Sequence, residues 1–222
     1  MVELRPFKRQ DLDSLYAISL ATGLAGGDAS ALYQDGRMIG HIYSAPYAIL
    51  SPTTSFVAQD SEGVAGYIVG ALDTPAFEER LEREWWPGLR AIYRDPGGDP
   101  PSAWSADQRR SFMIHHPRRT PAAISELFPS HLHMNLLPRM QGRGVGRSLL
   151  ELWLGTARAM GATSVHVVPN SQNQRAIRFW ETCGFDRLAA HPATPADSRI
   201  WLGRHLDGHA GQVHERPIRV AR

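Results

Sequence analysis

One cysteine and no long apolar run set the first limits on this 222-residue sequence. The single cysteine, Cys183, cannot form an internal disulfide and fits a reducing compartment. No apolar run approaches the length that spans a bilayer, and the N-terminal residues lack the apolar centre of a signal peptide. These absences predict a cytoplasmic protein without a membrane partner.

An excess of charge of either sign is also missing. The chain carries 24 Lys and Arg residues against 22 Asp and Glu residues, which gives a formal net charge of +2. So small a balance creates no strong field that would attract nucleic acid, and we expect no nucleic-acid partner. Arginine supplies nearly all of the positive charge, which suits bidentate anion contacts but is also typical of a GC-rich coding bias.

The spacing of apolar residues predicts one α/β (α+β) domain over residues 1–205 and a flexible tail over residues 206–222. Strands are predicted at 2–6, 55–59, 64–72, 131–137, 164–168 and 198–202, and helices at 10–20, 74–92, 106–115, 122–127, 145–160 and 172–183. A hairpin turn joins the second and third strands, whereas alternating helices and strands predict parallel pairing later in the chain. The result is a mixed sheet with a helical insertion at about 74–129, in which Thr74 is the predicted N-cap.

A glycine-rich loop follows the fourth predicted strand and reads Gln-Gly-Arg-Gly-Val-Gly from Gln141 to Gly146, closed by Arg147. Glycine lets a ligand approach the backbone, and the helix that begins here has unpaired N–H groups that bind phosphate. A nucleoside-triphosphate loop would need a lysine followed by Ser or Thr, which is missing. A dinucleotide site would need an acid at the end of the next strand, which instead reads Val-Val-Pro-Asn over 167–170.

Two signatures in this part of the chain resemble those of the GCN5-related N-acetyltransferase (GNAT) family. The first is Gln/Arg-x-x-Gly-x-Gly/Ala at Gln141, Gly144 and Gly146. The second is Asn-x-x-Ala-x-x-(apolar)-Tyr-x-x-x-Gly-Phe, which residues 173–185 match with Trp180 in the tyrosine position. The resemblance implies a strongly twisted mixed sheet flanked by helices, splayed between its fourth and fifth strands. It also implies acetyl-CoA as co-substrate and no metal.

The resemblance assigns a set of cofactor-binding residues to this chain. Leu136 and Leu137 would offer free main-chain groups to the pantetheine and the acetyl carbonyl, and Asn173 would reach the cofactor from the neighbouring helix. The full set is Leu136, Leu137, Gln141, Gly142, Arg143, Gly144, Val145, Gly146, Arg147, Asn173 and Trp180.

The insertion carries a narrower resemblance. The words Thr-Pro-Ala-Phe at 74–77, Trp-Trp-Pro at 85–87 and Phe-Pro-Ser at 128–130 are similar to the acetyltransferase-like C-terminal domain of eukaryotic O-GlcNAcases and its free-standing bacterial relatives. The eukaryotic domain is regarded as a pseudo-acetyltransferase that lacks the phosphate loop. This chain has the loop, which favours cofactor binding.

Candidate proton-transfer groups lie on the strand before the loop. His131 and His133 share one face with Asn135 because side chains alternate along a strand. This spacing is similar to that of serotonin N-acetyltransferase, where a histidine pair is linked to proton removal through water. Since an indole cannot act as an acid near neutral pH, Trp180 leaves the general acid open. The remaining candidates for the acid are Tyr33, Tyr43, Tyr47 and Tyr67.

Together these patterns predict an N-acetyltransferase that moves an acetyl group from acetyl-CoA to a primary amine by direct attack in a ternary complex. The amine belongs to a small molecule or a protein lysine, and Asp73 is a candidate to contact its ammonium group. A homodimer remains open. The alternative, favoured by Trp180 and the pseudo-enzyme relatives, is a catalytically weak or inactive acetyl-CoA-binding or protein-interaction module.

Overall fold

A computed structural model describes residues 1–188 and 200–206, and within these residues a single mixed sheet of seven strands forms the centre of the fold. The strands are β1 (Glu3–Pro6), β2 (Ser55–Asp60), β3 (Gly63–Ala71), β4 (Ser130–Leu136), β5 (Ser164–Val167), β6 (Asp186–Arg187) and β7 (Leu202–His205), in the spatial order β1-β2-β3-β4-β5-β7-β6. The predicted fold class is confirmed. The strand β6 was not predicted, the start of the predicted strand 198–202 lies outside the described residues, and so do residues 207–222 of the predicted tail.

Helices cover both faces of the sheet. They are α1 (Leu12–Ala21), α2 (Met38–Tyr43), α3 (Ala45–Leu50), α4 (Thr74–Glu84), α5 (Trp86–Arg90), α6 (Ala106–His115), α7 (Ala122–Ser125), α8 (Val145–Ala159) and α9 (Gln174–Thr182). The sequence also predicts a helix capped by Asp28 or Ser30, but the structure has two short helices in this region, α2 and α3, which begin only at Met38 and Ala45. None of the helices in the described ranges is long and apolar enough to cross a membrane.

The insertion between β3 and β4 differs in detail from the prediction. The single helix expected over 74–92 is two helices, α4 and α5, because Pro87 has no N–H group to continue the first one. The prediction of Thr74 as the N-cap is wrong. Asp73 is the cap, since its Oδ1 accepts a hydrogen bond from the Ala76 N–H at 3.0 Å.

Each face of the sheet has its own apolar core. On one face α8 and α9 bury Leu149, Trp153 and Trp180 against β4 and β5. On the other face α1, α3, α4 and α5 bury an aromatic group that includes Tyr67 and Phe77. The indole N–H of Trp153 donates to the Thr54 carbonyl at 3.0 Å, so its burial leaves no unpaired donor.

The predicted splay between the fourth and fifth strands is present. β4 pairs with β3 along its length, from His131 opposite Ala71 to Leu136 opposite Gly66. By contrast, β4 and β5 are parallel neighbours at only two positions, Ser130 with Val165 and His131 with His166. Beyond that point the two strands diverge, and a cleft opens between them.

Candidate active site

A cleft with a volume of about 680 Å³ is lined by residues from several parts of the fold. Its inner walls are residues 131–135 of β4 and residues 166–170 at the end of β5. Its outer wall comes from the helical insertion, which contributes Phe77 and Arg110, and from the segment that contains Tyr43. The cleft therefore joins the point of strand divergence to a region built by the insertion.

A chain of hydrogen bonds connects the two predicted histidines through Tyr47. The Tyr47 hydroxyl lies 2.8 Å from His131 Nε2 and 3.2 Å from His133 Nε2. His131 Nδ1 lies 2.7 Å from the Thr74 hydroxyl, which donates to the Pro129 carbonyl at 2.6 Å. We call these residues, Thr74, His131, Tyr47 and His133, the relay.

The Pro129 carbonyl, which can only accept, determines which atom of each hydrogen bond in the relay is the donor. Because the Thr74 hydroxyl donates to the Pro129 carbonyl, it must accept from His131 Nδ1–H. The Nε2 atom of neutral His131 is then an acceptor, so Tyr47 donates to it, and the same hydroxyl oxygen accepts from His133 Nε2–H. The remaining ring nitrogen, His133 Nδ1, carries a lone pair and is the basic end of the relay.

Burial keeps three histidines of the cleft, His131, His133 and His166, neutral. Desolvation and nearby His166 together lower the pKa of His133 to about 4 and that of His131 well below its ordinary value. Burial also lowers the pKa of His166 to about 4 and raises the pKa of Tyr47. The His133 imidazole is therefore an unprotonated base at neutral pH, but a weaker one than a solvent-exposed histidine.

His166 belongs to this cluster and was missed by the sequence prediction. Its ring stacks on that of His131 with centroids 5.5 Å apart, and its Nδ1 lies 2.7 Å from the Phe128 carbonyl. The register opposite His131 in β5 is the signal that could have found it, but pairing between remote strands is not visible in a local pattern.

Asn135 shares the histidine face of β4, as predicted, and is held by side chains from two other elements. Its Nδ2 donates to Thr22 Oγ1 at 2.6 Å, and its Oδ1 accepts from Tyr67 at 3.0 Å. Tyr67 also bonds to Ser19 at 3.0 Å. This network ties β4 to α1 and fixes the strand that carries the relay.

The glycine-rich loop presents backbone donors to open space. Gly142 and Gly144 have positive φ angles of 71° and 77°, and a Cβ atom added to either would meet no atom within 4 Å. Helix α8 begins after Gly144, and its first backbone bond runs from Ser148 N–H to the Gly144 carbonyl. Among the described residues, the N–H groups from Gly142 to Arg147 have no acceptor, which suits a phosphate.

Two details of the predicted cofactor set are corrected by the hydrogen bonds. The prediction that Leu137 has free main-chain groups is wrong, because its N–H donates to the Ala65 carbonyl at 2.8 Å and its carbonyl accepts from Met140 at 2.9 Å. The N–H of Gln141 donates to Pro138, and its side-chain amide donates to the Leu136 carbonyl at 2.6 Å. Gln141 therefore shapes the loop rather than adding a free donor.

Leu136 keeps one main-chain group for the cleft. Because Leu137 points its N–H towards β3, the alternation of the strand points the N–H groups of Leu136 and Met134 to the opposite edge. That edge faces the side where β5 has diverged. The prediction for Leu136 is thus narrowed to its N–H group.

The remaining predicted site residues lie at different distances from the cleft. Asn173 lines the cleft and caps α9 by accepting from Ala176 at 3.0 Å. Trp180 also lines it, but the indole is 6% exposed and packs edge-on against Phe185. Asp73 is exposed, is absent from the cleft wall and uses its carboxylate as the cap of α4, so the structure gives no support to its predicted contact with substrate.

The two arginines of the loop are exposed at its surface. Arg143 donates to the Arg139 carbonyl at 3.2 Å, and Arg147 donates to the Thr182 carbonyl at 3.2 Å. Each guanidinium therefore already has a backbone carbonyl as an acceptor. In the described parts of the chain, no group of three or more His, Cys, Asp or Glu residues is arranged to hold a metal ion.

Comparisons with known proteins agree with this geometry. The sequence profile of the acetyltransferase (GNAT) family matches residues 122–185, which include β4, the glycine-rich loop and α9. The crystal structure of SsHAT is 32% identical and superimposes with a TM-score of 0.84, covering 93% of this chain and 99% of its own. The chain belongs to the GNAT family. The GNAT resemblance of the two sequence signatures is thereby confirmed.

Two further comparisons concern a curated relative and a solved structure that shares the fold. Rat protein O-GlcNAcase is 25% identical over 209 residues, which is 91% of this chain but 22% of that protein, so this GNAT chain spans less than a quarter of the relative. A GNAT superfamily phosphinothricin acetyltransferase from Sinorhizobium meliloti, solved in complex with acetyl-CoA, is 15% identical with a TM-score of 0.53. It covers 95% of this chain and 92% of its own, and it shows the shared fold. The resemblance of the insertion to O-GlcNAcase is confirmed.

Proposed function

We propose that this protein is an acetyl-CoA-dependent N-acetyltransferase that acetylates a primary amine directly in a ternary complex. The observation that carries the proposal is the position of the relay, whose basic His133 lies in the cleft that opens where β4 and β5 part. The free backbone edge of β4 and a base lie in the same cleft, and this arrangement suits the transfer of an acyl group from a thioester to an amine. The members of the GNAT family provide the precedent for this reaction class.

The loop and the free edge of β4 fit the expected co-substrate. The open N–H groups of residues 142–147 at the start of α8 would hold the pyrophosphate, with Arg143 and Arg147 beside them. The N–H of Leu136 would hold the acyl end, and Asn173 would line the cofactor arm. When bound, acetyl-CoA supplies an electrophilic thioester carbonyl.

His133 is the proposed general base. The amine nitrogen forms a bond to the acyl carbon, the carbon–sulfur bond breaks, and the proton lost by the amine passes to His133 Nδ1. Tyr47 holds the other ring nitrogen and so keeps the lone pair on Nδ1. Since the pKa of His133 is lowered to about 4, the base limb of the rate profile should lie in the acid range rather than near neutrality.

Tyr43 is the proposed proton donor to the departing thiolate. Among the tyrosines of the cleft, Tyr47 donates to His131 and Tyr67 donates to Asn135. The Tyr43 hydroxyl instead has, among the described residues, only the weak acceptor Met113 Sδ, at 3.9 Å, for its hydrogen. Its ring lies 5.5 Å from that of His133, so acid and base would be neighbours on one wall.

The test is acetyl-CoA turnover with a broad panel of amines, peptides and amino sugars, followed by release of free thiol and by the mass of the acetylated product. Lys8 is the only lysine in the sequence, so a Lys8→Arg variant controls for acetylation of the enzyme itself. We expect thiol release that depends on the amine and equals the product formed. Binding of acetyl-CoA without product from any amine would contradict the proposal.

Binding of acetyl-CoA without any acetylated product is the result expected of the alternative function, a module that binds acetyl-CoA but does not catalyse transfer. Trp180 stands where the family signature has tyrosine, and it is packed into the core beside Phe185. A module that only binds acetyl-CoA needs the loop but no base. Such a protein would show a rise in melting temperature with acetyl-CoA and the same absence of turnover in the wild-type protein and in His133→Gln.

A further inference from the structure

Arg110, on α6, is a cation inside the cleft with no anionic partner. Its Nε donates to the Tyr33 hydroxyl at 3.0 Å, and its Nη1 donates to the Tyr43 hydroxyl at 3.3 Å and to Met113 Sδ at 3.2 Å. All three acceptors are neutral. Within the described ranges, no carboxylate oxygen lies within 4.0 Å of this guanidinium.

The carboxylates of α6 and of the cleft wall bind partners other than Arg110. Asp107, one turn earlier on α6, accepts the main-chain N–H groups of Gln34 and Asp35. On the wall of the cleft, Glu82 pairs with Arg90 through both oxygens, and Glu78 accepts from the Thr120 N–H. The positive charge of Arg110 is therefore available to an anion that does not belong to the described residues.

One edge of the guanidinium remains available. Nη2 has no acceptor among the described residues, yet no side-chain nitrogen or oxygen there is both fully buried and unpartnered. Nη2 must therefore reach accessible space, and Arg110 lines both the main cleft and a second cavity of about 430 Å³. None of the described Asp and Glu residues lines that second cavity, which Arg109 also borders.

Arg110 lies close to the proposed catalytic base, His133. Its Cζ lies 5.5 Å from the centre of the Tyr43 ring, and that ring lies 5.5 Å from the ring of His133. One aromatic ring thus separates the unpaired cation from the proposed base. An amine held at His133 would place a nearby substituent over Tyr43 and within reach of Arg110.

We propose that Arg110 binds an anionic group of the acceptor, so that the substrate is an amine that also carries a carboxylate or a phosphate. This inference rests on the proposed function. A partly buried cation without an anionic partner is costly, and a planar guanidinium recovers that cost best by paired hydrogen bonds to such a group. Tyr33 and Tyr43 hold the guanidinium in place and reduce the ordering that binding requires.

The test compares matched amine pairs that differ in the anion alone. Suitable pairs are β-alanine against β-alaninamide, and glucosamine 6-phosphate against glucosamine, each followed by kcat/KM for thiol release. We expect the anionic member of at least one pair to be preferred, and Arg110→Gln to lower its kcat/KM by about 10- to 100-fold, the range for hydrogen bonds to charged groups. The neutral member should lose less, because for that member the substitution removes only the contact of Arg110 with Tyr43. Arg110→Lys should recover part of the preference.

Controls separate this inference from structural damage and from the proposed function. Arg83→Gln removes an exposed arginine of α4 outside the cleft and should change neither member of a pair. Equal losses for both members in Arg110→Gln, or a loss of acetyl-CoA affinity instead, would overturn the inference. If no amine is turned over, calorimetry of the anionic probes with the CoA-loaded protein decides: tighter binding than the neutral twin, lost in Arg110→Gln, supports the anion site, and equal binding overturns it.

Discussion

The two halves of the cleft differ in the groups that they present: one half presents backbone N–H groups and the other presents side chains. The half beside the loop consists of backbone N–H groups at 142–147, set by glycines and by the start of α8. The half beside the relay consists of side chains from β4, the segment around Tyr47 and the insertion. The first half depends on a few adjacent residues, whereas the second depends on contacts between residues up to 86 positions apart.

This difference determines how each half should respond to substitution. A backbone site is lost when a side chain fills the space that the ligand needs, whatever the chemistry of that side chain. A side-chain site is lost when a donor or acceptor is removed, even when the shape is kept.

The largest effect is expected from Gly144→Val. Its φ angle of 77° and its empty surroundings mean that the new side chain would occupy the space in front of the free N–H groups. We expect acetyl-CoA binding, measured by calorimetry, to be abolished. Gly161→Val is the matched control, because Gly161 lies just beyond the other end of α8 with a φ angle of 89° and equally open space. Normal binding by Gly144→Val would refute the backbone half of the account.

The second effect concerns the base. His133→Gln keeps an N–H donor for Tyr47 but removes the basic nitrogen, so we expect kcat to fall by about 100-fold or more while acetyl-CoA affinity is kept. Steady-state rates over the acid range should lose the limb near pH 4. His205→Gln, an exposed histidine of β7, is the control and should leave the rate unchanged. A wild-type rate in His133→Gln would remove His133 from the mechanism.

Removal of the Tyr47 hydroxyl, which joins the two histidines of the relay, should have an intermediate effect on kcat. Tyr47→Phe leaves both Nε2 atoms of the histidine pair without their shared partner and frees the tautomer of His133. We expect a loss of about 1–3 kcal/mol in the free energy of unfolding and a fall in kcat at constant acetyl-CoA affinity. Tyr16→Phe breaks a similar tyrosine–histidine bond, to His41 at 3.0 Å, outside the cleft, and should lower stability without the same fall in kcat. Equal changes in kcat for the two variants would show that the relay has no positioning role.

The smallest effect is on the dependence of stability on pH. Burial lowers the pKa of His133 and His166 to about 4, against about 6.5 in an unfolded chain. Between these values the unfolded chain binds more protons, so this stabilisation is complete above pH 6.5 and is lost as the pH falls towards 4. Each histidine contributes at most about 1.4 kcal/mol per pH unit, and denaturant titrations at pH 7, 6 and 5 should show a smaller slope in His133→Gln. An unchanged slope would contradict the assigned burial.

The same comparison explains what the sequence could predict. The position of the loop before α8 depends on local signals and was predicted, although the N–H groups of Leu137 and Gln141 are already hydrogen-bonded. The splay of β4 from β5 was implied by the family resemblance of the two signatures, and it is present. The histidine pair was predicted from its alternation in β4. Its partners were not, because Thr74, Tyr47 and His166 come from separate segments that no local period connects.

The acceptor half shows this limit most clearly. Arg110 lies in a sequence pair, Arg109-Arg110, that looks like an ordinary solvated face of a helix. Only the fold places Tyr33 and Tyr43 against it and leaves it without a carboxylate among the described residues. An unpaired charge is a property of tertiary structure, so the sequence alone could not predict it.

The most direct test of the whole account is a crystal structure of the protein with acetyl-CoA. We expect the pyrophosphate on the N–H groups of residues 142–147 and the thioester between β4 and β5, on the side of the cleft that contains His133. A cofactor bound elsewhere, or a thioester separated from His133 by the wall of the cleft, would contradict it.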